Sequence, residues 1–225
     1  MPKRALRSRA AVAVRLSRAH FPVTALGPGR RIGIWFQGCS IHCPGCVSRD
    51  TWDASAGASA ALADVLDWCR SLAPQRPAGV TVSGGEPFDQ PEALFAFLSG
   101  VLRWRREAAL EIDLLCYSGY PLATVRRRHR AILDLLDAVV PGPYRRQRPT
   151  RRPLVGSENQ HVVPLTPLGV ARYSSQDAGG QPTMQVAVSG DAVWLIGIPR
   201  PGDLDAMADA CAADGVHLRG LSWRA

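Results

Sequence analysis

Lysine is nearly absent: Lys3 is the only one, so the formal net charge of +8 over 225 residues comes almost wholly from arginine. Such a charge is compatible with an acidic partner or nucleic acid, and equally with a plain bias toward arginine. No apolar run approaches the ~18 residues that a spanning helix needs, which excludes a helical membrane protein. Near the N-terminus the apolar stretch Ala10 to Val14 is too short for the hydrophobic region of a signal sequence, so Met1 to Arg18 reads as a frayed basic arm. The protein reads as cytoplasmic. No internal repeat is present, which excludes a solenoid. A dispersed disulfide framework is missing too. Three of the six cysteines fall at 39, 43 and 46, and the others stand alone at 69, 116 and 211. That clustering favours a metal centre. With 46% hydrophobic residues the chain fills one compact domain with a small appendage.

The apolar run Ile32 to Gln37 predicts a buried strand that ends at Gly38, directly before the cysteines. From Ala60 to Leu72 the residues Leu62, Val65, Leu66, Cys69 and Leu72 recur at helical spacing, which puts Cys69 on the buried face of an amphipathic helix. Gly79 to Val82 reads as a second strand, followed by Ser83-Gly84-Gly85-Glu86-Pro87. Pro91 then opens a helix carrying Leu94, Phe95, Leu98, Val101 and Leu102 on one face. A third unit has a strand at Leu110 to Cys116, the loop Tyr117-Ser118-Gly119-Tyr120 and a helix over Leu122 to Leu136. Ala138 to Val140 is the next strand.

This alternation predicts an α/β fold with a parallel sheet, open or curled into a partial (β/α) barrel. In such sheets ligands collect at the C-terminal strand ends. The cysteine cluster, Gly84-Gly85-Glu86, Tyr117-Ser118-Gly119 and Pro141-Gly142-Pro143-Tyr144 all follow predicted strands, so they should converge. Residues 1–165 are expected to form this domain and 166–225 a small C-terminal α+β appendage. The appendage has a hairpin at Met184 to Val188 and Ala192 to Ile198, turned at Gly190-Asp191, and a helix over Pro201 to Ala213.

Cys39, Cys43 and Cys46 form a C-x3-C-x2-C pattern. Thiolates so spaced can wrap one cubane cluster but satisfy only three of its four irons. The remaining iron would be open to a substrate or cofactor. Pro44 and Gly45 suit a loop that bends tightly, with backbone N–H groups free to point at sulfur. The spacing also permits a Cys3His zinc site completed by His42 or His20. A zinc module does not require a Gly-Gly-Glu loop after the next strand, where glycines admit a close approach and Glu86 can accept from an ammonium group.

Taken together, these motifs resemble the radical S-adenosylmethionine superfamily, and several segments are similar to its glycyl-radical-enzyme activating branch. The resemblance rests on Trp35-Phe36-Gln37-Gly38-Cys39 through Cys46, Thr51-Trp52-Asp53, Ser83 through Phe88, Tyr117 through Tyr120, Gly142-Pro143-Tyr144 and Gly156-Ser157-Glu158-Asn159-Gln160. It covers roughly residues 14 to 163. It implies a 4Fe-4S cluster on Cys39, Cys43 and Cys46, with S-adenosylmethionine chelating the open iron. Gly84, Gly85 and Glu86 would lie near the cofactor amine, and Tyr117, Ser118 and Asn159 would line the same pocket. Reductive cleavage would give a 5'-deoxyadenosyl radical. The implied partners are a glycyl-radical enzyme, docked on Arg145, Arg146, Arg148, Arg151 and Arg152, and a flavodoxin- or ferredoxin-type electron donor. The sequence departs from the branch at Pro141, where Asp is usual, and in its extension past about residue 166.

Two other functions fit parts of the sequence. One is a radical enzyme acting directly on a small molecule or peptide. The other is a basic zinc module that contacts nucleic acid through Arg126, Arg127, Arg128 and Arg130. Those arginines lie on a predicted helix, where a solvated face is the simpler reading, so nucleic acid is the less favoured partner.

Overall fold

A computed structural model describes residues 12–174 and 184–224. One seven-stranded sheet organises the chain. Its strands are β1 (Ala13–Val23), β2 (Arg31–Phe36), β3 (Ala58–Ala61), β4 (Gly79–Gly84), β5 (Asp113–Ser118), β6 (Ala138–Pro141) and β7 (Val163–Pro164), in the order β3-β1-β2-β4-β5-β6-β7. Neighbours from β2 to β6 pair in parallel, whereas β1 is antiparallel to both β2 and β3 and β7 is antiparallel to β6. The fold is therefore mixed α/β with a parallel centre, as the strand-helix alternation predicts.

Helices α1 (Leu62–Ser71), α2 (Pro91–Glu107), α3 (Leu122–Arg128) and α4 (Arg130–Leu133) fill the crossovers. The strands are buried on both sides, so their alternate residues serve two layers. Ile32, Ile34, Phe36, Val80, Val82, Leu114, Cys116 and Val139 pack with the helices in the main core, which includes Cys69 of α1. On the other side, Leu115, Ala138 and Val140 pack against Leu154, Val155 and Tyr173. Tyr173 comes from α5 (Pro167–Tyr173), so that helix belongs to this layer. Among these apolar residues lies a buried polar knot. Arg31 gives its two terminal nitrogens to Asp113 at 2.8 Å each and its Nε to Thr81 at 2.6 Å, and Tyr173 donates to Asp113 at 2.5 Å.

Three expectations need correction. The segment up to Arg18 is not a frayed arm over its described part: from Ala13 it is the inner strand β1, with Val14 and Leu16 in the core between exposed or half-buried neighbours. Beyond Leu16 the polar residues Arg18 and His20 take the places that the alternation would give to apolar ones, which disguises that period. On α2, Phe95 points outward at 43% exposure, while Phe97 and Trp104 join Leu94, Leu98 and Val101 inside. A helix turns 100° per residue, so Leu94 and Phe95 cannot both sit at the centre of one stripe. Finally, the helix predicted over 122–136 breaks at His129, whose backbone leaves helical angles (φ −133°, ψ 34°) and whose ring lies 5.3 Å from that of Phe88.

The tail forms the expected hairpin, β8 (Met184–Ser189) and β9 (Ala192–Gly197), and the helix α6 (Asp203–Ala213). Ile196 of β9 is buried with Val23, Leu26 and Trp35, and Gln185 donates to the Pro22 carbonyl at 2.7 Å. The hairpin thus leans on the sheet face opposite the helices.

Candidate metal centre

The chain leaves β2 at Phe36 and enters the cysteine loop. Cys39, Cys43 and Cys46 are each half-buried and free of disulfides. His42 and Gly45 take left-handed backbone angles (φ 49° and 81°), and the Cys46 N–H donates to the Cys43 carbonyl at 3.0 Å. Such reversals turn successive N–H groups inward. Those of Ile41 and His42 donate to the Cys39 sulfur, and that of Tyr144 donates to Cys43. Burial pushes the Cys39 and Cys43 thiols up, and these N–H donors pull the other way. Iron would bring them to thiolate outright.

The loop after β4 is the seat for this segment. Gly85 N–H donates to Phe36 O at 2.9 Å and Glu86 N–H to Gly38 O at 2.8 Å. A Cβ on Gly84 would lie 2.2 Å from the Phe36 carbonyl oxygen, and one on Gly85 would lie 2.1 Å from that of Gly38. The glycine pair therefore lets two backbones touch directly before the first cysteine. Gln37 is buried and donates to the carbonyls of Asp50 and Asp53, which secures the segment after the last cysteine. Gln90 bridges Arg15 and the Gln37 carbonyl. Ile41 packs over Gly119, where a Cβ would approach it to 2.5 Å. Of these supporting side chains, Gln37 lies in a stretch that carries the resemblance, whereas Gln90 has no sequence signal of its own.

Glu86 joins two strand ends. It is 1% exposed, and its carboxylate accepts from Phe88 N at 3.0 Å, Ser118 Oγ at 3.0 Å and Gly119 N at 2.7 Å. Burial outweighs these donors and pushes its carboxyl up to about 7. After β6, Gly142 N–H donates to Tyr120 O at 3.0 Å, and Asn159 Nδ2 donates to Pro143 O at 2.8 Å. The four loops after β2, β4, β5 and β6 thus meet at one end of the sheet, as their positions after strands predict.

Residues 25–163 match the family described as a 4Fe-4S single cluster domain, a stretch that holds the three cysteines and all four loops. The chain belongs to this family. Among curated relatives, the anaerobic ribonucleoside-triphosphate reductase-activating protein of Enterobacteria phage T4 is 27% identical over 136 residues, covering 60% of this chain and 85% of the relative. The protein of the same name from Vibrio cholerae is 30% identical over 133 residues, covering 56% and 81%. The pyruvate formate-lyase-activating enzyme of Listeria monocytogenes is 37% identical over 79 residues, 34% of this chain and 32% of that one. This single-cluster protein accordingly falls in the glycyl-radical activating branch of the radical S-adenosylmethionine enzymes, whose cofactors are a 4Fe-4S cluster and S-adenosylmethionine.

The donor set of this single-cluster protein fits such a group. Thiolates suit iron-sulfur clusters and zinc alike, and a zinc site on three of them needs a fourth ligand such as histidine. Both histidines that could complete a zinc site pack their rings on tryptophans. His42 stacks on Trp52 with centroids 4.6 Å apart, and His20 meets Trp194 edge-on at 5.8 Å. Of the other expected pocket residues, Ser118 touches Glu86 directly. Tyr117 lies in the opposite layer, where its hydroxyl donates to Leu154 O at 3.1 Å and burial pushes it well above the usual phenol range. Asn159 is half-buried, and its Oδ1 has no hydrogen-bond partner among the described residues. That orphan acceptor is the feature of the polar loop most suited to a ligand. Beyond the family match, the tail and Val47, Ser48 and Asp50 wall a cavity of about 850 Å³.

Proposed function

We propose that the protein activates a partner by forming a glycyl radical on it, with Cys39, Cys43 and Cys46 holding three irons of the cluster. The observation that carries this reading is the meeting of three loops at Glu86, whose backbone N–H reaches Gly38 before the first cysteine and whose carboxylate accepts from Ser118 and Gly119. When bound, cluster and cofactor supply one-electron cleavage of the sulfonium to methionine and a 5'-deoxyadenosyl radical. The chain's own work is to position and exclude. Backbone N–H groups of Ile41, His42 and Tyr144 stabilise negative sulfur at Cys39 and Cys43. A carboxylate offers about four acceptor sites, and three on Glu86 are filled from Phe88, Ser118 and Gly119, which leaves one for the cofactor amine. Gly84 and Gly85 keep that loop against the cysteines. Asn159 Oδ1 accepts from the cofactor's donors, and Ser118 shapes the pocket from β5, with Tyr117 backing that strand from the opposite layer.

In this reading the parallel strands curl into a partial barrel around the cofactor. Residues 1–165 form the cluster-bearing domain and 166–225 the appendage, with α5 as the strap between them. The exposed residues Arg145, Arg146, Arg148 and Arg151 and the half-buried Arg152, beside the cysteine loop, dock the glycyl-radical enzyme. A flavodoxin- or ferredoxin-type protein supplies the electron, and the reaction belongs to the reducing cytoplasm. To test this, the reduced protein is incubated anaerobically with S-adenosylmethionine and a candidate glycyl-radical enzyme. A stable glycyl radical on the partner is the expected result. Deoxyadenosine formed with every such partner yet no radical on any polypeptide would favour a small-molecule substrate instead.

A further inference from the structure

Asp89 lies outside the Gly-Gly-Glu motif, one turn beyond it at the end of a 3-10 turn over Pro87–Asp89. Its side chain nevertheless reaches the middle of the cysteine loop. Oδ2 accepts the Ser40 backbone N–H at 2.7 Å, Oδ1 accepts the Ser40 hydroxyl at 3.1 Å, and Oδ1 also accepts the Tyr120 hydroxyl at 2.7 Å. The Ser40 and Tyr120 hydroxyl oxygens are themselves 3.0 Å apart. One carboxylate therefore fastens the residue after Cys39 to the loop after β4 and to the loop after β5.

We propose that Asp89 is a positioning residue for the cluster, acting through Ser40 and Tyr120 to hold the Cys39–Cys43 segment in its ligating shape. The inference rests on the reading of Cys39, Cys43 and Cys46 as ligands. Its physical basis is the fixed direction of the Ser40 N–H. Between Cys39 and Cys43 the chain must pass through the left-handed angle at His42, a conformation that a non-glycine residue holds only when its surroundings impose it. A charge-assisted acceptor on Ser40 and the Ile41 side chain over Gly119 supply that constraint from two sides. Because Asp89 is exposed, screening limits the effect. Its loss should loosen the loop without removing a ligand.

The experiment follows release of iron to a chelator from the anaerobically reconstituted full chain, with the spin resonance of the reduced cluster recorded alongside. Asp89→Ala should load the same iron as wild type, release it about fivefold faster, as for loss of one modest hydrogen-bonded contact, and show a broadened signal. Asp89→Asn keeps an acceptor for the Ser40 N–H and should recover most of the retention. Tyr120→Phe, which leaves the Ser40 contact in place, should be intermediate and serves if Asp89→Ala does not fold. Release at the wild-type rate in Asp89→Ala, or in Tyr120→Phe where that variant serves instead, would overturn the proposal. Cys43→Ala run in parallel keeps the two readings apart. If it retains a full cluster the ligand assignment is wrong, whereas a lost cluster there with wild-type release in Asp89→Ala removes only the role given to Asp89.

Discussion

Cys43 receives an N–H from Tyr144, more than a hundred residues further along the chain, so one sulfur depends on two strand ends. Cys39→Ala, Cys43→Ala and Cys46→Ala should each abolish the cluster, because two thiolates leave two irons without protein ligands. Cys69→Ala, Cys116→Ala and Cys211→Ala should keep it, since the first two are core residues and the third lies on α6. Iron and sulfide per chain decide this, and a full complement in Cys43→Ala would refute it. Glu86 gives a pH signature. Its folded pKa of about 7 lies above the ordinary value of 4.5. The fold therefore favours the protonated acid, and this group's stabilisation is complete below about pH 4.5 and lost as pH rises to about 7. The swing is on the order of 3 kcal/mol. Denaturant titration of wild type and Glu86→Gln across that range should show the wild type losing stability relative to the variant. Parallel curves would contradict it. The three cysteines and Gly84-Gly85-Glu86 are legible in sequence because short spacing encodes their chemistry. Asp89, Gln90 and Ile41 are not, and Gln37 is legible only as part of the resemblance, since their partners are set by how loops from different strands meet.

At the level of elements, β2, β4, β5 and β6 are legible as apolar runs because each is buried on both sides, whereas β1 loses its alternation after Leu16, at Arg18 and His20. The loop after β4 is the element on which the site turns. Gly85→Ala would force a Cβ to within 2.1 Å of the Gly38 carbonyl oxygen, and both groups are backbone, so neither can swing aside. The loop must retreat and break the Glu86 N–H to Gly38 O bond. Overpacking of this kind costs about 1–3 kcal/mol. A lowered melting temperature together with reduced cluster retention is expected, and a variant with wild-type melting and loading would show that the two backbones are not in contact.

For the whole molecule, the sheet is held on its non-helical face by the knot of Arg31, Asp113, Thr81 and Tyr173. Arg31 and Asp113 are both fully buried, so Asp113→Ala strands a guanidinium without its counter-charge and should cost about 3–5 kcal/mol in denaturant unfolding. A loss below about 1 kcal/mol would mean that water reaches the pair. Nothing in the sequence pairs these two residues, because only the parallel register of β2, β4 and β5 brings them across one another.

The claim on which the rest depends is that the strand-end loops build one iron-sulfur centre with an iron open to S-adenosylmethionine. Anaerobic iron and sulfide analysis, with the spin resonance of the reduced protein before and after S-adenosylmethionine is added, tests it most directly. Close to four irons and four sulfides per chain are expected, with a signal that changes shape when the cofactor binds. Stoichiometric zinc without sulfide, or a four-iron signal indifferent to S-adenosylmethionine, would contradict it.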